Sequence, residues 1–196
     1  MSKFEHFSAH IMKKFFISIS LFFFAAFSSE AQHVSLSTNA LQWMDYGTAN
    51  LSVGVSLARH FSFEAGGRYN PFSYQRKSGL TVQNQQKTAF ASVKYWPWYV
   101  FSGWWAGVKG QWSDYSKTGI WRYAVDEGTR LGIGLSAGYT WMISKKVNLD
   151  FGIGGWGGRQ TKYTLYHCKQ CMEVRESGPK NFIALDDISV SLMIMF

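Results

Sequence analysis

"RLGIGLSAGYTW", Arg130 to Trp141, is the stretch that decides the fold. Leu131, Ile133, Leu135, Ala137, Tyr139 and Trp141 share one parity. Arg130, Gly132, Gly134, Ser136, Gly138 and Thr140 share the other. A period of two belongs to the β-strand, whose successive side chains leave on opposite faces. One face of this strand is wholly apolar and aromatic. The other holds glycine, hydroxyl groups and a charge.

The same alternation recurs on either side. Leu51, Val53, Val55 and Leu57 oppose Ser52, Gly54 and Ser56. Phe61, Phe63, Ala65 and Tyr69 oppose Ser62, Glu64, Arg68 and Asn70. Ala89, Ala91, Val93 and Tyr95 oppose Ser92 and Lys94; Trp104, Ala106, Val108 and Trp112 oppose Lys109 and Gln111. Val147, Leu149, Phe151 and Ile153 oppose Asn148, Asp150, Gly152 and Gly154. With "VSLSTNA" (Val34–Ala40) at one end and "DISVSLMIMF" (Asp187–Phe196) at the other, eight segments read as strands of roughly 9–11 residues. The connections alternate in length. Ala58–His60, Trp96–Ser102 and Met142–Lys146 are short; Trp43–Thr48, Pro71–Thr88, Ser113–Thr129 and Gly157–Phe182 are mostly long. That rhythm predicts an all-β, eight-stranded antiparallel up-and-down transmembrane barrel, with short periplasmic turns and longer extracellular loops.

Composition agrees. Aromatic residues are 18% of the chain and charged residues only 16%, which is charge-poor for a soluble domain. Mean hydropathy is nonetheless only −0.13, well below that of a helical membrane protein. A lipocalin-like soluble barrel is the alternative, and it would hide its apolar face inside. Here the polar parity carries Glu64, Arg68, Lys94, Lys109, Arg130, Asp150 and Asp187, which favours a polar lining that closes on itself through charge pairs. Glu64 with Arg68 or Lys109, and Asp150 with Arg130, are the pairs this reading expects. The net charge of +8 contains no run of five or six like charges, so a nucleic-acid arm is not expected.

Residues 1–31 read as a secretory signal, with Met12 a candidate start. Two lysines precede an apolar stretch, Phe15–Phe27, and Ser29-Glu30-Ala31 offers a small-x-small cleavage site. An uncleaved anchor is the alternative, but the stretch is short for a span. The mature barrel then covers 32–196, in the bacterial outer membrane, with both termini periplasmic. Trp96, Trp98, Tyr99, Phe101, Trp104 and Trp141 cluster at the short-turn end and suit a membrane-interface belt. Phe90, Trp96, Trp105 and Met195 are also candidates to fill the space left by inward glycines. The terminal Phe196 suits the outer-membrane insertion machinery.

These stretches, with "NLSVGVSLARHFSFEAGGRYNPFSY", "SVKYWPWYVFSGWWAGVKGQW" and the Cys168/Cys171 pair, resemble a family of small Bacteroidota outer-membrane β-barrels. That family carries a domain-of-unknown-function label and is often encoded near fimbrial genes. The resemblance spans the mature chain and implies fold and location, with no chemistry attached.

Candidate chemistry is sparse. His167 precedes a C-x-x-C, Cys168 and Cys171. A redox or zinc site is one reading; a disulfide pinning an external loop in an oxidising compartment is the other, and the even cysteine count favours it. The glycine-rich runs lack the following helix that a phosphate loop needs. No catalytic residue, metal or cofactor is expected. The reading is a non-enzymatic barrel with a plugged interior that acts through its external loops in surface interaction or adhesion. Loop and rim cations (Arg76, Lys77, Lys87, Lys117, Arg122, Lys162 and Lys169) suit lipopolysaccharide phosphates. Tyr74, Trp121, Tyr123, Tyr163 and Tyr166 suit a protein partner in the outer membrane or fimbriae. The alternatives are an accessory subunit of a larger outer-membrane complex and a carrier of a small hydrophobic ligand.

Overall fold

The computed structural model describes residues 34–75, 81–118, 124–166, 174–185 and 188–196. The signal segment, Asp187 and the proposed Cys168–Cys171 disulfide lie outside the described residues.

Val34–Phe196 folds as one unit of antiparallel strands. These are β1 (Val34–Asn39), β2 (Ala49–Ala58), β3 (Phe61–Gln75), β4 (Thr81–Tyr95), β5 (Gly103–Thr118), β6 (Val125–Met142) and β7 (Val147–Tyr166). Three short pieces follow: β8 (Val174–Ser177), β9 (Lys180–Leu185) and β10 (Ser189–Met195). Each long strand pairs with the next. The last three pieces lie end to end along β7, and β10 pairs with β1 on its other side, so the sheet closes into a ring of eight positions. A five-residue helix, α1 (Ala40–Met44), follows β1. Asn39 caps it, accepting from the Leu41 amide at 3.0 Å. No helix among the described residues is long and apolar enough to cross a membrane.

The short connections sit where the sequence places them, between β2 and β3, β4 and β5, and β6 and β7. Strand lengths differ from expectation: β3 and β4 have 15 residues, β5 16, β6 18 and β7 20. Much of what reads as long loop is strand. "TVQNQQKT" (Thr81–Thr88) pairs fully with β3, yet its side chains are polar on both faces, so no alternation marks it.

Burial inverts the usual arrangement. Along β5 every second residue is buried, and the buried set contains Lys109, Gln111, Ser113 and Tyr115 while Trp104, Val108 and Trp112 are exposed. Ser35, Ser37, Ser52, Ser62, Ser92, Lys94, Thr140, Asn148 and Asp150 are buried; Leu51, Phe61, Val93, Leu131, Leu135, Ile153 and Leu192 are exposed. Glycines let the walls approach. A Cβ on Gly138 would meet the Phe151 carbonyl and the Trp105 ring, and one on Gly66 would sit 2.8 Å from Phe90.

Candidate functional site

The lower end of the ring is closed by Trp96, Phe101, Trp105, Met193 and Met195, one buried apolar cluster. Trp96 is 0% exposed, and its indole donates to Ser62 Oγ at 2.9 Å. The turn that places it is held by two contacts between Trp96 and His60: Trp96 N donates to the His60 carbonyl, and His60 Nδ1 lies 2.9 Å from the Trp96 carbonyl. Phe101 takes a left-handed backbone (φ 65), which turns its ring inward, where Asn148 Nδ2 donates to its carbonyl at 2.8 Å. This corrects the interface belt. Trp98, Tyr99, Trp104 and Trp141 are exposed, whereas Trp96 and Phe101 are interior. Trp96 shares the even parity of Lys94 and Ser92 and so follows them inward.

Above the plug lies an ion-pair cluster. Lys94 Nζ is 2.6 Å from Glu64 Oε2, 3.6 Å from Asp150 Oδ2 and 4.1 Å from the centre of the Trp105 ring. Asp150 Oδ1 accepts from Trp105 Nε1 at 2.6 Å and from Thr140 Oγ1 at 2.5 Å. The cation on Asp150 is therefore Lys94 and not Arg130. The register explains why: Asp150 stands opposite Thr140, ten residues down β6 from Arg130, roughly 33 Å along the strand. Lys109 and Arg68 line the same cavity, which measures ≈ 90 Å³ and is bounded by Ser37, Ser52, Ser92 and Ser136.

α1 and the turn after it stand over the upper side of this cavity, with Gln42 in its lining. With its amide oxygen turned toward Arg68, Gln42 accepts from Arg68 Nε at 2.8 Å. The Asp45 carbonyl accepts from Asn70 Nδ2, Asp45 Oδ1 from Asn84 Nδ2 at 3.1 Å, and Tyr46 stacks on Phe72. The segment Ala40–Thr48 thus lies across the ring as a lid. No signal in the sequence marks it; Asn39 as a helix cap is the nearest.

A second polar cluster occupies the upper wall, beyond the apolar outer surface. Arg130 stacks over the Tyr115 ring at 4.0 Å, and its Nη2 donates to Tyr115 Oη at 2.8 Å. Tyr115 donates to Asp126 at 3.0 Å and is 2.7 Å from the Gln160 amide. Burial pushes the Tyr115 phenol well above its usual range; Asp126 acts in the same direction and Arg130 against it. Nearby, Asp45, Tyr46, Val82, Asn84, Lys117, Thr118 and Asp126 line an open recess of ≈ 480 Å³ at the long-loop end. Of the rim cations, Lys87, Lys117 and Lys162 are exposed on strands, and Tyr74 is exposed. Tyr163 belongs to β7 and is buried beneath Lys180, whose Nζ is 3.7 Å above its ring. Arg76, Lys77, Trp121, Arg122, Tyr123, His167 and Lys169 lie outside the described residues.

The comparisons add one assignment. A family described as "Protein of unknown function (DUF3575)" matches residues 16–196, and the chain belongs to it. No curated protein matches the chain, and no solved structure does.

Proposed function

We propose, for this member of a family of unknown function, an eight-stranded transmembrane β-barrel of the bacterial outer membrane. Its interior is closed, and it acts through the long-loop end in surface interaction. One observation carries the reading: the outward side chains form an apolar belt of the right height. On β5 the belt runs from Trp104 to Trp112 before Asp114 ends it; on β6 it runs from Trp141 to Leu131. Eight and ten steps of about 3.3 Å, tilted about 40°, give roughly 20 and 25 Å, and outer-membrane barrels carry a band of about 25 Å.

Above the belt one cross-strand row turns polar at once: Tyr69, Lys87, Asp114, Thr129 and Lys162 stand in register across five strands. Such a row suits lipid headgroups, including lipopolysaccharide phosphates. Trp98, Tyr99, Trp104 and Trp141 then occupy the periplasmic interface, where half-polar rings are favoured. The plug below and the lid above support a closed barrel over a pore. The polar walls of the cavity disfavour a hydrophobic cargo, which would have to desolvate Glu64, Lys94 and Asp150. The likeness to barrels encoded near fimbrial genes points the surface role toward fimbriae or adhesion.

Spin labels at Val53, Leu135 and Leu192, in protein reconstituted into lipid vesicles, test the orientation. Collisions with oxygen should dominate at all three sites. Collisions with a water-soluble nickel chelate at Leu135 matching those at Asp114 would reverse the assignment.

A further inference from the structure

The ring is closed only in its lower part. β1 pairs with β10 from Ser35↔Met195 up to Asn39↔Ser191, and there the chain turns into α1. The Asn39 side chain extends the pairing slightly, accepting from Val190 N at 3.2 Å and donating to the Ile188 carbonyl at 3.5 Å. Above this point β9 has β7 on one side and, among the described residues, no strand on the other. The Phe182 and Ala184 carbonyls lie 3.0 and 3.4 Å from where Cβ atoms of Gly157 and Gly155 would sit, so they face β7. Period two then sends the N–H and C=O groups of Asn181, Ile183 and Leu185 to the open side. Ile183 is 95% exposed, against 69% for Leu135, which has a strand on each side.

This edge lies inside the apolar belt. Leu185 stands opposite Gly155, which stands opposite Leu135. Backbone groups left unpaired at that depth cost several kcal/mol each. Resting on the membrane reading above, we infer that the open edge of β9 is a docking site for an extended apolar segment of another protein, running antiparallel to β9.

Three features define that segment. It runs from the short-turn end toward the long-loop end, because β9 runs the other way and every ladder of the described ring, including that of β7 with β9, is antiparallel. It is apolar where it passes Ile183 and Leu185. It carries a carboxylate at its upper end, beside the exposed cation Lys180. A second copy inserted in the same sense would run its own β9 in the same direction, so a two-fold axis cannot supply the antiparallel strand. The barrel thereby becomes one subunit of a larger membrane assembly, joined through its open seam.

The test uses isotope-labelled full-length protein in lipid nanodiscs and a synthetic ten-residue peptide alternating valine and threonine and ending in aspartate. Adding the peptide should shift the amide protons of Asn181, Ile183 and Leu185 downfield and spare Phe182 and Ala184. Antiparallel cross-strand contacts to the peptide should accompany the shift. Ile183→Pro, which keeps the pairing with β7 because its amide faces away, should lose the response. Lys180→Glu should weaken the peptide roughly two- to five-fold, the scale of an exposed ion pair, and serves if the proline variant does not fold. The inference is overturned by amides that already contact another part of the chain or a second copy, and equally by amides that ignore the peptide. Contacts from Leu135 to acyl chains report separately on the membrane reading, so the two can fail independently.

Discussion

Replacing Lys94 by methionine should be among the most damaging single changes in the ring. The side chains of Lys94, Glu64 and Asp150 are 10%, 14% and 5% exposed, so solvent screens their interactions little. Methionine keeps most of the contact with Trp105 and nearly the same volume. The change therefore isolates the charge. Two carboxylates are then left in the interior without the ammonium between them, and removing one partner of a buried pair costs about 3–5 kcal/mol. Lys109 lines the same cavity and should hold the cost near the lower end. The assay is urea unfolding of protein refolded into phospholipid vesicles, followed by tryptophan fluorescence and by the heat-dependent shift in gel mobility. Lys94→Met combined with Glu64→Gln and Asp150→Asn should recover stability to within about 1–2 kcal/mol of the parent, because both carboxylate charges leave together with the ammonium. A single variant within 1 kcal/mol of the parent, or a triple variant no better than the single, would refute the view that charge pairing holds the interior.

Leu135→Arg at mid-belt should cost about 2–4 kcal/mol in vesicles, and Asp114→Arg above the belt about 0–1; the same urea assay compares them. Gly103→Ala should destabilise by about 1–2 kcal/mol, since φ is 75 there and an added Cβ would press on the Trp98 ring; thermal unfolding reads it. The Tyr115 phenol holds its proton more tightly folded than unfolded, so its contribution is complete below pH ~10 and is lost as pH rises further. Stability measured from pH 9 to 11.5 should fall more steeply in the parent than in Tyr115→Phe.

Which side chains face inward was readable because burial and parity coincide wherever the polar face lines the ring and the apolar face is turned out. Ser52 against Leu51, and Lys109 against Val108, needed nothing more than the period. Strand length was not readable above the belt, because in Thr81–Thr88 polar side chains serve both as buried partners (Gln83, Asn84, Thr88) and as exposed ones (Gln85, Lys87), so alternation lapses. In the sequence the eighth strand reads as Asp187–Phe196 alone, but β8 and β9, on either side of Gly178-Pro179, continue that position along β7 through much of what reads as the Gly157–Phe182 loop. The charged residues of the lining were legible as a set, but their partners were not. Pairing depends on register, and only register reveals that Asp150 is level with Thr140 and Lys94 while Arg130 sits near the rim. The lid was illegible because Gln42 and Asp45 work through contacts that no local spacing announces.

The ladder joining Ser35–Asn39 to Ser191–Met195 fastens the two ends of the polypeptide to each other. During synthesis β1 meets β2 at once, but its second neighbour, β10, is made last. Every outward leucine, phenylalanine and tryptophan made in the interval is without its final surroundings. The ring therefore cannot close until the last residues are made, and long-range closure of this kind is intrinsically slow.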